Sequence, residues 1–182
     1  MDSLAALRSA IDLMQVPSRV RTVRTLPLPG GVDWLLRVAS GDRDAALEAA
    51  AATGREVEFL REAAAFFVEQ VLLEPSANSY RILGTTSDAS PRELRRNMAL
   101  LIRCLHPDAT VDPERSVFIE RVTRAWEDLK TPQRRALYDS SLDESDTAPK
   151  RNAAKWRLPR VVAPRQSSPS RHGRLRRLLG KT

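Results

Sequence analysis

The chain has 182 residues, a net charge of +7 and a single cysteine. That length suits one ordinary domain with extensions, the lone cysteine excludes an intramolecular disulfide, and no segment approaches the roughly 18 uninterrupted apolar residues of a membrane span. The charge is unevenly placed: residues 1–149 carry 19 basic and 23 acidic side chains, net −4, whereas residues 150–182 carry 11 basic and none acidic, net +11.

The first predicted helix runs from Ser3 to Gln15, with Leu4, Leu7, Ile11 and Met14 on one side. Asp2 stands where a secretion signal needs positive charge, and Asp2 and Asp12 argue against a transit peptide despite Arg8, Arg19, Arg21 and Arg24. A cytoplasmic location is the expectation. After Pro17 the chain reads as a mobile stretch to Gly31, completing a first segment of residues 1–31. Residues 32–75 then form a helical adjunct: a short amphipathic piece at 32–38, an alanine-rich helix from Asp44 to Thr53 closed by Gly54, and a longer one from Arg55 to Leu73. In the last, Phe59, Leu60, Ala63, Phe66, Phe67 and Val71 share a broad apolar side. Pro75 ends it.

Residues 76–142 are a second helical unit. Tyr80-Arg81-Ile82-Leu83-Gly84 reads as a turn or two of helix with a C-terminal glycine. Ser90-Pro91-Arg92-Glu93 is a helix start: Ser90 the N-cap, Pro91 in the first helical position, Glu93 reaching back as a capping box. From there Leu94, Met98, Leu101 and Leu105 line one face, and the opposite face holds Arg92, Arg96, Ala99 and Arg103, with Arg95 beside them. Pro107 disfavours helical geometry at His106 and stops the helix. Asp112-Pro113-Glu114 starts a second one, whose Phe118, Val122, Ala125, Trp126 and Leu129 again keep helical spacing. Two amphipathic helices joined by a short turn pack antiparallel, so His106-Pro107-Asp108 becomes the tip of a hairpin. Thr131-Pro132 opens a further short helix through Arg134, Arg135, Ala136, Leu137, Tyr138 and Asp139. The predicted core of this unit is Tyr80, Leu83, Leu94, Met98, Leu101, Leu105, Val122, Ala125, Trp126, Leu129 and Tyr138.

Residues 140–149 form a polar linker, and the tail beyond is too poor in apolar residues to offset the entropy of ordering, so residues 143–182 are expected to be a disordered basic tail. Such a tail binds nucleic acid by neutralising phosphate, lies on an anionic membrane or partner surface, or folds over the acidic body; composition leaves all three open. Trp156 is either a stacking group or a lone exposed aromatic.

These features together resemble the J-domain of DnaJ-type co-chaperones, over about Asn78 to Leu142. Tyr80-Arg81-Ile82-Leu83-Gly84 resembles the family's opening Tyr-x-Ile-Leu-Gly, and Leu94, Leu101 and His106-Pro107-Asp108 follow at family spacing. Ala125-Trp126 stands where the family usually has Ala-Tyr, and Gln133-Arg134-Arg135-Ala136-Leu137-Tyr138-Asp139 resembles its closing Gln-Lys-Arg-Ala-x-Tyr-Asp. The resemblance implies an all-α fold, an antiparallel helical hairpin with flanking short helices that docks on a DnaK-type chaperone ATPase and stimulates its ATP hydrolysis. It implies that His106, Pro107 and Asp108 are the trigger loop and that Arg92, Arg95, Arg96 and Arg103 meet an acidic surface of that ATPase. The chain itself would not be an enzyme and needs no cofactor. Met98-Ala99-Leu100 replaces the Tyr-Lys-Arg of many members, and Ala109-Thr110 replaces basic or polar residues after the triplet.

The competing readings are a degenerate J-like module that binds without stimulating, and an ordinary solvated helix face for the arginines. His106 as a metal ligand fares poorly, because His172 and Cys104 are the only other histidine and cysteine. Neither a Gly-x-Ser-x-Gly elbow nor a Gly-x-x-x-x-Gly-Lys phosphate loop is present. Cys104 beside the apolar seam reads as a packing residue.

Overall fold

The computed structural model describes residues 3–105 and 113–147. Among them are nine α-helices and no strand: α1 (Ala5–Gln15), α2 (Val20–Thr25), α3 (Val32–Ala39), α4 (Arg43–Thr53), α5 (Val57–Phe67), α6 (Ser79–Ile82), α7 (Pro91–Leu105), α8 (Pro113–Leu129) and α9 (Pro132–Thr147). A 3₁₀ turn at Pro17–Arg19 precedes α2, and a π-helical segment at Val68–Leu72 continues α5.

Local chemistry sets these boundaries. Asp42 caps α4 by accepting from the Ala45 amide at 3.1 Å, and Asn78 caps α6 by accepting from the Arg81 amide at 2.8 Å. The capping box of α7 forms as its sequence predicts, with the Ser90 amide donating to Glu93 at 2.8 Å and the Glu93 amide donating to Ser90 Oγ at 3.3 Å. Two glycines are demanded by space as well as by turn geometry. Gly31, at φ +82°, opens α3 where a Cβ would collide with the Ser3 backbone; Gly84, at φ +65°, closes α6 where a Cβ would lie 2.7 Å from Val32 Cγ1.

Two layers share one core. α1 packs along α5, and α3 lies against both α5 and α7, so it joins the N-terminal helices to the α7/α8 hairpin. The buried residues are continuous across that join, from Leu7 and Leu13 through Leu35, Leu36, Leu60, Phe67 and Leu72 to Leu83, Leu94, Leu101, Val122 and Leu129. Of the predicted hairpin core, Met98, Trp126 and Tyr138 are half-buried, packed against the cluster, and the others are buried.

Three arginines tie the layers at the C-terminal end of the α5–π segment. Helix ends leave carbonyls without intrahelical donors, and cations there also oppose the negative end of the dipole. Arg24 Nε donates to the Gln70 carbonyl at 2.6 Å, Arg81 Nε to that of Val71 at 3.3 Å, and Arg121 to those of Leu73 and Glu74. Arg81 extends further, donating to the Leu26 carbonyl at 2.9 Å and the Val23 carbonyl at 3.1 Å, at the end of α2. One guanidinium thus serves two helix termini.

The structure departs from the sequence expectation in three places. The stretch after Pro17, read as mobile, holds the 3₁₀ turn and α2, because Val20 is buried and Arg24 and Arg81 fasten it. The helix expected from Arg55 to Leu73 changes to π geometry at Val68. The short helix after Pro132 runs on to Thr147, through residues read as linker. Residues 148–182, which include Trp156 and all 11 basic tail residues, lie outside the described residues. No helix among the described residues is long and apolar enough to cross a membrane.

Replacing Arg81 strands carbonyls of both helix ends. Arg81→Ala is expected to lower the free energy of urea unfolding by about 2–4 kcal/mol, and Arg81→Lys to recover only part of it, since an ammonium lacks the planar fork. A change below about 0.5 kcal/mol, within the range of ordinary surface substitutions, would show that this arginine is not a brace.

Candidate functional site

The closing motif of the hairpin unit is a lock. Tyr80 and Tyr138 meet edge to face with ring centroids 5.9 Å apart. The Tyr138 hydroxyl accepts from the Ser79 amide at 2.7 Å, and the Tyr80 hydroxyl donates to Asp139 Oδ1 at 2.6 Å. Burial, with the Asp139 carboxylate adding, raises the Tyr80 phenol above its ordinary value. Arg135 donates to the Tyr80 hydroxyl at 3.0 Å, to the Ala89 carbonyl at 2.7 Å and to that of Ser87. α9 is thereby fixed on α6 and on the loop leading into α7, and these side chains shape the unit from behind.

α7 presents three sides. Placing successive residues about 100° apart, Leu94, Leu101, Leu105 and half-buried Met98 point to the shared apolar seam, where α7 packs on α8. Asn97, Leu100 and Cys104 occupy the flank towards the N-terminal layer, whose α3 packs on α7. On the third side lie Arg92, Arg95, Arg96, Ala99 and Arg103, and all five are exposed. The arginines predicted from sequence are therefore brought into one row along the helix. Its edge nearest α3 is Arg96, whose Nη2 lies 3.3 Å from Asp33 Oδ2.

His106, Pro107 and Asp108 lie outside the described residues, as do Asp112 and the Ala109-Thr110 departure. α7 is described to Leu105, and the arginine row runs along it towards them.

Two flank residues carry their own chemistry. Asn97 is 2% exposed and donates from Nδ2 to the Leu83 carbonyl at 3.0 Å, linking α7 to the end of α6. Cys104 is half-buried. Burial pushes its thiol up to about 11, the Glu69 carboxylate adding to this and Arg115 opposing it. Among the described residues no group of three or more His, Cys, Asp and Glu is placed to hold a metal.

A pair of antiparallel helices flanked by two others, locked through Tyr80, Tyr138 and Asp139, defines a small helical unit. The family model described as DnaJ domain matches residues 78–139, the span of that unit. Chaperone protein DnaJ 2 of Streptomyces coelicolor is 37% identical over 60 residues, covering 33% of this chain and 16% of that protein. Chaperone protein DnaJ 1 of Aquifex aeolicus is 33% identical over 67 residues, 37% of this chain and 18% of that protein. Chaperone protein DnaJ of Rickettsia akari is 36% identical over 64 residues, 35% and 17% respectively. The chain thus spans about a sixth of the length of the curated relatives it matches. No solved structure matches. Residues 78–139 are a J-domain by that match.

Sequence reasoning found the arginine row and missed what surrounds it. Asp33, Arg121 and Asn97 are polar residues without motif context, Arg81 fills the variable position of the opening motif, and their partners are 10 to 63 residues away along the chain. Leu100 carried a signal, an apolar residue off the predicted seam; it marks the flank turned to a second layer.

The raised thiol gives a direct check on that flank. At pH 8 an unfolded cysteine, near its ordinary value of about 8.5, is about a quarter thiolate, whereas a group at about 11 is about a thousandth so. Native protein is expected to react with a disulfide reagent about two orders of magnitude more slowly than protein in denaturing urea. Since the folded thiol ionises later than the unfolded one, its contribution to stability is constant below about pH 8 and is lost as pH rises towards 11. Equal rates in the two states would place Cys104 in the open.

Proposed function

We propose that this protein is a cytoplasmic co-chaperone that docks on a DnaK-type chaperone ATPase through its J-domain and stimulates ATP hydrolysis by that partner. The observation that carries the reading is the exposed row of Arg92, Arg95, Arg96 and Arg103 on α7, inside the span matched by the DnaJ domain and running towards His106-Pro107-Asp108. In this reading the chain performs no chemistry of its own. The arginine row steers and orients an acidic partner surface; guanidinium groups suit this because each presents a planar fork of donors to a carboxylate. His106-Pro107-Asp108 follows α7 directly in the chain and supplies the triplet that triggers hydrolysis. Residues 3–75 act as a brace for the J-domain and belong to the same body.

A module that binds without stimulating is favoured by one specific feature: Ala99, in the middle of the row, and Ala109, after the triplet, carry no charge. The basic tail, residues 150–182, is a separate candidate for contact with nucleic acid or another anionic surface, and its salt dependence would reveal it.

Multiple-turnover ATP hydrolysis by a DnaK-type ATPase from the same organism separates these readings. Full-length protein is expected to raise the turnover, and His106→Gln to abolish the increase. Arg95→Ala should raise the half-saturating concentration about 2–5-fold at low salt, with a smaller effect as screening increases. Turnover that is unchanged by the native protein, and equally by His106→Gln, would refute stimulation.

A further inference from the structure

The arginine row is partly occupied by the protein's own carboxylate. Asp33 belongs to α3, in the N-terminal layer, and Arg96 to α7; they are 63 residues apart in sequence, and their 3.3 Å contact spans the join between layers. Both side chains are about half exposed, at 50% and 49%. So exposed a pair contributes little to holding the layers together. It is accessible, however, to a competing carboxylate.

Asp33 is held in place by its neighbours on the helix. Val32, before it, is buried at the position facing Gly84, and Leu35 and Leu36, after it, are fully buried. The carboxylate therefore stands at the border of the arginine row, presented by a packed helix. Two other acids line the same hollow, and both have local partners: Glu93 is committed to the α7 capping box, its Oε2 accepting from the Ser90 amide and hydroxyl at 2.8 and 2.7 Å, and Asp88 accepts from the Thr86 hydroxyl. Asp33 instead pairs with an arginine of the row.

Resting on the docking reading above, we propose that Asp33 is an intramolecular competitor of the partner's acidic surface: it holds Arg96 out of the docking row, so the N-terminal layer sets how tightly the J-domain docks. An arriving carboxylate must displace Asp33 before it can engage Arg96, and it meets like charge at the edge of the row until it does. This makes Asp33 a specificity-determining residue. A partner whose acidic surface is confined to Arg92, Arg95 and Arg103 pays nothing for it, while one that extends across Arg96 is penalised.

The test is the half-saturating concentration for stimulation of a DnaK-type ATPase by full-length protein, measured for native chain, Asp33→Asn, Arg96→Ala and the double variant, with thermal melts to confirm that each is folded. Asp33→Asn is expected to lower the half-saturating concentration about 2–5-fold. In the Arg96→Ala background the same change should give a clearly smaller gain, because the residue it releases is gone. No gain from Asp33→Asn, or an equal gain in both backgrounds, would overturn the proposal, the latter by showing that Asp33 acts only as a distant charge. Failure of the docking reading is seen separately: the native chain would then leave turnover unchanged before any variant is compared, and the competitor role would fall with it.

Discussion

The fold turns on the carbonyls at the end of one helix. The α5–π segment ends at Leu72, inside the protein and between two layers, where Gln70, Val71, Leu73 and Glu74 present oxygens that lack intrahelical donors. Arg24, Arg81 and Arg121 supply donors from α2, α6 and α8, so the end of a single helix gathers one element of the N-terminal layer and two of the J-domain. Burial pulls the Arg81 and Arg121 guanidinium groups below their ordinary value, with the Glu74 carboxylate opposing this in both. They nevertheless remain charged, since an arginine starts far above neutrality. π geometry suits the place, because its i to i+5 pattern leaves carbonyls offset from an α-helical ladder.

That join decides what the J-domain shows to solvent. With α3 against α7, one flank of α7 is no longer surface: Asn97 is buried and bonded to Leu83, Leu100 packs against the shared core, and Cys104 is shielded enough to resist ionisation. Leu100 sits where many members of the family carry a basic residue; here, a charge on that flank would need to be desolvated. At Leu100 the departure from the family pattern goes with packing against the shared core. What is left exposed is a narrow row, with Asp33 posted at its edge.

The J-domain was legible from sequence because its signals are local. Ser90 to Glu93 spell a capping box that forms as read, and Leu94, Leu101 and Leu105 keep the helical period that buries them. Tyr80, Tyr138 and Asp139 were readable as motif, but the reason they matter emerged only in space, as a phenol donating to a carboxylate across 59 residues. The N-terminal layer was legible as separate helices and not as a brace. α2 has six residues and little apolar content, and besides buried Val20 and its own Arg24 it is fixed by Arg81, a residue of the next unit. Likewise α9 continues through residues with linker composition, because its start is locked by Arg135 and Tyr138 and a helix once begun adds residues at low cost.

The central claim is that the N-terminal helices and the J-domain are one cooperative body. Native-state hydrogen exchange as a function of denaturant measures this directly. The slowest amides of α5, near Phe67, and of α7, near Leu101, should converge on one unfolding free energy with one denaturant dependence. Two separate values, with α1 to α5 opening while α7 and α8 stay protected, would contradict the account and make the N-terminal layer a detachable adjunct.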